Sequence, residues 1–262
     1  MKTIRKDIMT MKEKKNVPAE RVLEQLKELQ LGYFAENFRE YALEAARKQI
    51  GHIEYLDALN EGELADRMER RIARRIREAR IPVMRSLSTF DWTHPKKINR
   101  QQIEMLMRLD FLKDKANVVF LGPCGVGKSF LASCLVEHAC KKGISAFFTQ
   151  AVDIVNDLLV AQSIGRLPQA IKKYTAPTLL CIDELGYLPL GKDGCNLLFQ
   201  VFSKRYEQKS TIITTNKAFK NWGEIFNDDS TAASAIVDRI VHHCEVVIIE
   251  GTSYRMKEKM TK

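Results

Sequence analysis

The sequence predicts an α/β fold in which a parallel sheet is flanked by helices. A small all-α domain precedes this fold in the chain. Two patterns in the 262 residues indicate this arrangement. From about residue 99 onward, short apolar runs alternate with stretches of helical spacing, as in a parallel sheet with crossover helices. Before residue 83, the apolar residues recur at the three- and four-residue spacing of helices. The length suits one large domain with a smaller extension.

The composition favours a folded protein with a phosphate-bearing partner. Hydrophobic residues make up 45% of the chain, which is enough for a sizeable core, and the net charge is +9. A basic balance of this size suits a partner with phosphates, although it also serves solubility. The N-terminus has lysines without an apolar segment, and no apolar run reaches membrane length, so we expect a cytoplasmic protein with no membrane partner. The cysteines form no C-x-x-C pair, so we expect reduced thiols rather than a zinc site or disulfides; they are Cys124, Cys134, Cys140, Cys181, Cys195 and Cys244.

Three helices are predicted before the sheet. Residues 1–16 are rich in lysine and aperiodic, and we expect them to be a disordered basic tail. The first helix is expected to end at Gly32. A second helix covers about residues 33–50, and a long third helix covers about residues 53–80. Residues 17–82 together form the predicted N-terminal helical domain.

The end of the third helix is dense in arginine. Between Arg67 and Arg85 there are eight arginines and only two acids, Glu69 and Glu78. Charge runs are usually solvated faces, but these arginines outnumber the acids that could pair with them along the helix, so the face repels itself unless anions neutralise it. A nucleic-acid backbone is such an anion. We therefore predict that duplex DNA binds to Arg67, Arg70, Arg71, Arg74, Arg75, Arg77 and Arg80.

The same helix carries an apolar stripe. Leu64, Met68, Ile72, Ile76 and Ala79 recur at intervals of three or four residues. This spacing places them along one side of a helix. We expect the stripe to pack against a neighbouring element, with the arginines on its flanks and on the opposite side.

Residues 83–98 are predicted to be an extended linker. Phe90 and Trp92 are expected to anchor this linker on the domain that follows, an interpretation we prefer to base stacking. Asn99 is a typical N-cap and predicts a helix that runs to about Leu112.

A phosphate-binding loop is predicted between a strand and a helix. The apolar run Asn117–Leu121 is typical of a buried parallel strand, and residues 130–139 have apolar side chains at helical spacing. Between them, GPCGVGKS fits G-x-x-x-x-G-K-[ST], the loop of P-loop NTPases. The glycines let backbone N–H groups surround phosphate oxygens at the N-terminus of the helix. The residues expected to bind the nucleotide are Gly122, Pro123, Cys124, Gly125, Val126, Gly127, Lys128, Ser129 and Phe130.

Four side chains are expected to act on the phosphates. Lys128 would reach the β- and γ-phosphates of ATP, and Ser129 would hold Mg²⁺. The apolar run that begins at Thr178 ends in Asp183 and Glu184, and in P-loop ATPases such a strand lies beside the strand of the loop. Asp183 would help to hold Mg²⁺, and Glu184 would orient and activate the attacking water. The alternative is that Asp183 and Glu184 are surface acids at a strand end with no role in ATP hydrolysis. We favour the catalytic interpretation because an apolar run leads directly into the pair and a phosphate loop requires such a partner strand.

Two further residues are candidates by their positions. A second strand covers about residues 145–149, and another covers residues 211–216. The latter ends in Asn216, where a sensor of the γ-phosphate would lie, although asparagine is common at strand ends. Residues 230–243 are predicted to be a helix, and Arg239 lies in its C-terminal half.

Seven sequence features in a fixed order make the chain resemble a known family. They are GPCGVGKS, LLCIDELGYLP, RYE, TIITTN, Trp222, VDRI and SYR. Their order is similar to that of the IstB/DnaC-type AAA+ ATPases, and most similar to the IstB-like ATP-binding proteins of insertion sequences. The resemblance begins at about Val22 and includes the FDW linker, which separates it from a general AAA+ ATPase.

The resemblance implies a role for each matching residue. Residues 99–262 would form an AAA+ ATPase domain without a full C-terminal lid, with Walker A and Walker B groups in the positions described above. Asn216 would be sensor 1, Arg239 the arginine finger that completes a neighbouring subunit's site, and Arg255 the sensor 2 residue that contacts the nucleotide. Glu184, Arg239 and Asn216 are therefore the expected catalytic residues.

The function implied by the resemblance is that of an ATP- and Mg²⁺-dependent transposition helper. Such proteins form homo-oligomers on duplex DNA, deform it, and recruit and stimulate an IstA-like transposase of the same element. Residues 17–82 would then be the DNA-binding domain. Three alternatives remain: a DnaC-like replicative helicase loader, an architectural DNA-binding protein whose ATP turnover is incidental, and, more distantly, a P-loop kinase. Binding to a replicative helicase tests the first alternative, and ATPase rates with and without DNA test the second.

Overall fold

The computed structural model describes residues 18–187, 190–226 and 230–256, with the backbone alone for residues 230–233. Its contacts divide the chain into two compact units, Met1–Arg71 and Ile72–Lys262. The basic tail expected at residues 1–16 lies outside the described residues.

The first unit is helical. Helix α1 covers residues 18–28, α2 covers Gly32–Lys48, and α3 covers His52–Glu78, so that the last turns of α3 belong to the second unit. Gly32 begins α2 instead of ending α1, which corrects the sequence expectation. The left-handed backbone of Gln30 (φ 57°) already ends α1, and the N–H of Leu31 donates to the carbonyl of Leu26.

The predicted apolar stripe on α3 is only partly correct. Leu64 and Met68 are 63% and 59% exposed, whereas Ile76 and Ala79 pack in the second unit. In the first unit the buried side of α3 carries Leu59 instead. Leu59 and Leu64 are five residues apart, which places them about 140° apart around a helix, so they cannot face the same partner.

The second unit contains a five-stranded parallel sheet with the order β2-β3-β4-β1-β5. Its strands are β1 (Asn117–Leu121), β2 (Ala146–Gln150), β3 (Leu179–Leu185), β4 (Ser210–Thr215) and β5 (Cys244–Ile248). The expectation that the strand ending in the two acids lies beside the loop strand is wrong, because β4 separates β3 from β1. Edge strand β5 was not identified from the sequence.

Helices cover both faces of the sheet. They are α4 (Arg100–Leu106), α5 (Lys128–Lys141), α6 (Ala151–Ser163), α7 (Leu167–Thr175), α8 (Gly191–Arg205) and α9 (Ser230–Val241), with 3-10 turns at Leu87–Thr89, Asp110–Leu112 and Phe219–Phe226. One hydrophobic cluster includes Val119, Leu180 and Ile213, and another includes Phe120 and Cys181. Burial on both faces explains why the central strands are continuous apolar runs.

The linker aromatics anchor the linker, as expected. Phe90 is buried, and its ring lies 4.8 Å from that of Trp92 and 5.3 Å from that of Phe130 at the start of α5. The Asn99 side chain accepts from the N–H of Gln102 and caps α4. That helix ends at Leu106 rather than near residue 112, because Leu109 takes a left-handed conformation (φ 62°) and a separate 3-10 turn follows.

The buried Arg205, from the RYE sequence, has a structural role. Its guanidinium donates to the carbonyls of Tyr174, Pro177 and Thr178 in front of β3, at 3.0, 2.9 and 3.3 Å. It also donates to the carbonyl of Ser210, the first residue of β4. One cation therefore satisfies several buried carbonyls at the amino ends of two neighbouring strands.

Within the described part of the chain, no helix is both long and apolar enough to cross a membrane.

Candidate functional site

The phosphate loop follows β1 and depends on three glycines. Gly125 and Gly127 have φ values of 78° and 102°, which favour glycine. A Cβ at Gly127 would lie 2.7 Å from the Phe90 ring, and one at Gly122 would lie 2.2 Å from the carbonyl oxygen of Ile249. The linker and the chain after β5 therefore pack directly on the loop. Larger residues at these positions would displace the loop backbone.

Lys128 is buried at the first position of α5. Its ammonium donates to the carbonyls of Gly122 and Pro123 at 2.7 and 2.6 Å, and to the Tyr187 hydroxyl at 3.4 Å. Burial lowers the pKa of Lys128, and the negative charge of Asp183 opposes that shift. The loop thus holds a buried cation among its own carbonyl groups, where a phosphate oxygen is a stronger acceptor.

Asp183 lies at the centre of a hydroxyl network. The Ser129 hydroxyl donates to its Oδ1 at 2.8 Å, and the Thr214 hydroxyl donates to the same oxygen. Thr214 Oγ1 also accepts from the backbone N–H of Glu184 at 2.9 Å. The network therefore links α5, β3 and β4. Sequence reasoning missed Thr214; the alternation of side chains along TIITTN was the available signal.

A local irregularity separates the two acids of β3. The β3–β4 register shifts between Ile182 and Leu185, and Glu184 has a left-handed φ of 59°. Such a bulge re-aims side chains along a strand. Asp183 bonds to the helix that carries Ser129, while Glu184 lines a separate small cavity of about 70 Å³. The cavity is lined by Gln150, Ala151, Val152, Glu184, Tyr187 and Leu190.

Ser129 and Asp183 fit a magnesium ion. A hydroxyl oxygen and a carboxylate oxygen 2.8 Å apart face each other at the N-terminus of α5. Mg²⁺ is bound in such sites by few protein oxygens together with phosphate oxygens. The donor set is therefore suitable for this ion.

The other predicted site residues lie at different places in the second unit. Asn216 is exposed directly after β4, so Thr214 rather than Asn216 contacts Asp183. Arg255 is exposed, and the preceding Tyr254 donates its N–H to the carbonyl of Gly125 in the loop at 2.9 Å.

Arg239 is held on its own subunit. Its guanidinium donates to the carbonyl of Ala235 at 2.8 Å and lies over the Phe199 ring at 5.0 Å. Neither contact involves a phosphate-loop residue. A guanidinium has five N–H donors, so these two contacts leave donors that a phosphate of an adjacent subunit can accept from.

Several of the predicted DNA-binding arginines have partners in the protein. Arg67 pairs with the buried Glu63 at 2.7 Å, and Arg70 pairs with Asp66. Both acids precede the arginine-rich segment, so the charge balance of that segment alone does not include them. In the second unit Arg74 approaches Glu78 at 3.9 Å, and Arg80 lies over the ring of Phe147.

The remaining arginines keep unpaired charge. Among the ion pairs formed by residues 18–187, 190–226 and 230–256, none includes Arg71, Arg75 or Arg77. Arg71 and Arg77 are exposed, and Arg75 is half-buried. Like Arg80, which is exposed and also lies outside these ion pairs, they keep a positive charge that an anion from outside the chain can neutralise.

Comparison with known proteins gives consistent relatives. The model of the family described as IstB-like ATP binding protein matches residues 24–262. The putative ATP-binding protein of insertion sequence IS5376 from Geobacillus stearothermophilus is 37% identical over 240 residues, which is 92% of this chain and 95% of that protein. The putative ATP-binding protein of insertion sequence IS232 from Bacillus thuringiensis subsp. berliner is 38% identical over 237 residues, which is 90% of this chain and 94% of that protein.

A solved structure supports the fold. The crystal structure of the DnaC helicase loader matches with a TM-score of 0.50 and 23% identity, over 61% of this chain and 95% of that chain. At this identity the likeness concerns the fold alone. It confirms the predicted parallel sheet flanked by helices.

Proposed function

This chain belongs to the family of IstB-like ATP-binding proteins, and from that premise we propose that it is the ATP-hydrolysing helper of an IS21-type insertion sequence. In this proposal it binds duplex DNA as a homo-oligomer and recruits and stimulates an IstA-like transposase. The observation that carries the ATPase part is the hydroxyl network that joins Ser129 and Thr214 to the Asp183 carboxylate beside Lys128.

ATP binding uses the buried lysine and the loop backbone. The phosphates enter the concave loop, where backbone N–H groups and the N-terminus of α5 favour negative charge. Lys128 turns its ammonium from the carbonyls of Gly122 and Pro123 to the β- and γ-phosphate oxygens. Ser129 and Asp183 would hold Mg²⁺, which would supply positive charge to the phosphates.

Hydrolysis uses the second acid of β3. The Glu184 carboxylate orients a water in the cavity that it lines and accepts a hydrogen bond from it, so that the water oxygen faces the γ-phosphorus. The Thr214 hydroxyl fixes the Glu184 backbone through its N–H. An arginine from an adjacent subunit, for which Arg239 is the candidate, stabilises the charge that develops on the γ-phosphate.

DNA binding is proposed from charge. The chain has a net charge of +9, and Arg71, Arg75 and Arg77 remain outside the ion pairs of the described residues. Phosphate contacts by such residues give affinity without sequence preference. The insertion-sequence context of the relatives makes duplex DNA and a transposase the partners to test first.

The helicase-loader alternative rests on weaker support. The similarity to the DnaC structure concerns the fold, which several functions share. The family match and the relatives over nine-tenths of the chain all refer to insertion sequences. A binding assay with a replicative helicase would reveal a loader.

One experiment tests the proposal directly. An IstA-like transposase of an IS21-type insertion sequence is assayed for strand transfer into duplex target DNA, with and without this chain and ATP, while phosphate release is followed in parallel. We expect strand transfer to require both the chain and ATP, and phosphate release to rise when DNA is added. Lys128→Ala serves as the nucleotide-free control. If the chain changes neither strand transfer nor DNA-dependent ATPase activity, the transposition role is wrong.

A further inference from the structure

Tyr187 lies in the nucleotide site, but none of the roles described above includes it. It follows β3 through a tight turn in which Gly186 has a φ of 91° and the Tyr187 N–H donates to the carbonyl of Glu184 at 3.4 Å. A Cβ at Gly186 would lie 2.7 Å from the side chain of Ile225, so the turn is closely packed. This turn brings the tyrosine ring back over the phosphate loop.

The Tyr187 hydroxyl contacts the buried lysine of that loop. It accepts from the Lys128 ammonium at 3.4 Å, and the ammonium lies 5.9 Å from the centre of the ring. Burial raises the pKa of Tyr187, so the hydroxyl keeps its proton near neutral pH and can donate it in a hydrogen bond.

The position of the Tyr187 hydroxyl determines which ligand atom lies beside it when a nucleotide binds. The three protons of the ammonium are directed to Gly122, Pro123 and Tyr187. A terminal phosphate oxygen that accepts from Lys128 therefore comes within hydrogen-bonding reach of the Tyr187 hydroxyl. The same tyrosine lines the cavity of Glu184, so it borders the site where water is oriented. Nucleoside diphosphates lack the phosphate that would occupy this position.

We propose that the Tyr187 hydroxyl distinguishes ATP from ADP by donating a hydrogen bond to an oxygen of the terminal phosphate. In the empty site and with ADP, the hydroxyl accepts a hydrogen bond from the Lys128 ammonium. With ATP, the hydroxyl donates its own proton in a hydrogen bond to the phosphate, and the ring remains over the lysine. The inference rests on the proposed nucleotide site and adds a group that determines nucleotide specificity.

The test compares affinities of the full chain for ADP and for a non-hydrolysable ATP analogue by calorimetry. Tyr187→Phe keeps the ring over Lys128 and removes only the hydroxyl. Because the hydrogen bond removed is to a charged group, we expect the affinity for the ATP analogue to fall about tenfold, while that for ADP changes less than about twofold. The ratio of the two affinities is decisive, since a merely structural effect would weaken both nucleotides together.

A matched control and the native chain separate the possible failures. Tyr206→Phe also removes one hydroxyl hydrogen bond, to His242 at 3.1 Å and away from the phosphate loop, and should keep the native ratio. If the native chain binds neither nucleotide, the proposed nucleotide site itself is wrong. If the native chain binds both and Tyr187→Phe keeps the native ratio, or lowers both affinities equally, Tyr187 does not read the terminal phosphate.

Discussion

Single side chains in the phosphate site have separable tasks. Lys128 is the buried cation of the loop, whereas Glu184 lies on the other side of the β3 bulge and lines the cavity. We expect Lys128→Ala to abolish ATP binding and every ATP-dependent step. Glu184→Gln should keep ATP binding within about threefold and slow hydrolysis by a factor on the order of 10² or more, because water orientation is removed while the phosphate cradle remains.

Calorimetry with ATP and a phosphate-release assay check both variants. Equal ATP affinity for Lys128→Ala and the native chain would refute the assignment of the loop. Full hydrolysis by Glu184→Gln would instead show that another group orients the water.

Thr214 forms hydrogen bonds with both acids of β3. Its buried hydroxyl donates to Asp183 and accepts from the N–H of Glu184. Thr214→Val keeps the shape but leaves that half-buried N–H without its acceptor, which costs about 1 kcal/mol of folding free energy. We expect a lower midpoint of thermal unfolding and slower hydrolysis.

A neighbouring threonine provides the control for Thr214. The Thr215 hydroxyl accepts from the N–H of Lys217, at 3.1 Å, in the turn after β4. Thr215→Val should therefore lower stability without the same decrease in ATPase activity. Equal decreases in ATPase activity in the two variants would argue against a specific role of the Asp183 network.

At the level of secondary-structure elements, a residue distant in sequence caps helix α2. Leu31 gives no side-chain cap, and the buried Glu63 of α3 accepts from the N–H of Tyr33 at 2.9 Å. Burial alone would raise the pKa of Glu63, but the Arg67 guanidinium and the helix N–H groups outweigh it and hold the pKa below its usual range. An ionised Glu63 therefore stabilises the first unit.

The sign of the pH effect follows from that lowered pKa. The stabilisation is present above the unfolded-state pKa of about 4.3 and is lost as pH falls through the folded-state pKa. We expect the protection of the amides at the start of α2 against exchange, measured relative to an unfolded chain at the same pH, to fall as the pH drops through that lowered pKa. Glu63→Gln should produce faster exchange already at pH 7 and cost about 1–2 kcal/mol. Unchanged exchange in this variant would contradict the capping role.

Local signals in the sequence were sufficient to predict some elements. Strand β1 has the predicted bounds, because a short apolar run leads directly into a loop with a recognisable motif. Edge strand β5 was missed because only Val247 among its five residues is buried, which leaves no clear alternation. The exposed Leu64 and Met68 could not be recognised from spacing, since spacing shows that residues share a side but not whether that side is covered.

The sequence predicted the part of the candidate site that lies within short motifs, but not the part that depends on strand order. Lys128, Ser129 and Asp183 come together as the motifs predict. The contribution of Thr214 depends on β4 lying next to β3, and the cavity of Glu184 depends on a bulge between two strands. Strand order and register arise from long-range pairing, so the order of consecutive residues does not reveal them.

The arginines of the second unit allow a test of DNA binding by element. We expect the double substitution Arg75→Ala and Arg77→Ala to weaken binding to all duplex sequences alike. Because neither residue is neutralised by an ion pair in the described chain, the slope of log affinity against log salt should fall by roughly 0.9 for each DNA phosphate that an arginine no longer neutralises. Fluorescence anisotropy at several salt concentrations measures this slope.

A pair of exposed lysines controls for net charge. Lys48 and Lys113 pair with Glu44 and Asp110, so replacing both with alanine removes the same number of positive charges. This control should change the slope less than the arginine variant does. An unchanged slope in the arginine variant would mean that this part of α3 is merely solvated or binds a protein.

At the scale of the whole assembly, Arg239 should link hydrolysis to oligomerisation. In a single chain its guanidinium lies over Phe199 and bonds to the carbonyl of Ala235 within its own helix. A guanidinium supplied by a neighbour contributes on the order of 10³–10⁵ to the rate of phosphoryl transfer. A lone subunit would then have an incomplete site, and ATP turnover would begin only after assembly.

Mixing two inactive variants tests this arrangement. Arg239→Ala lacks the arginine and keeps Glu184, whereas Glu184→Gln lacks the carboxylate and keeps Arg239. Because each variant lacks one of the two groups, we expect each to be inactive alone. In a mixed assembly some interfaces join the intact phosphate site of the first variant to the intact arginine of the second. With random order and equal amounts, roughly a quarter of the interfaces are complete, so ATPase activity should partly recover on mixing. If the variants co-assemble on DNA and the mixture stays inactive, Arg239 acts only within its own subunit and stabilises α9 through Phe199.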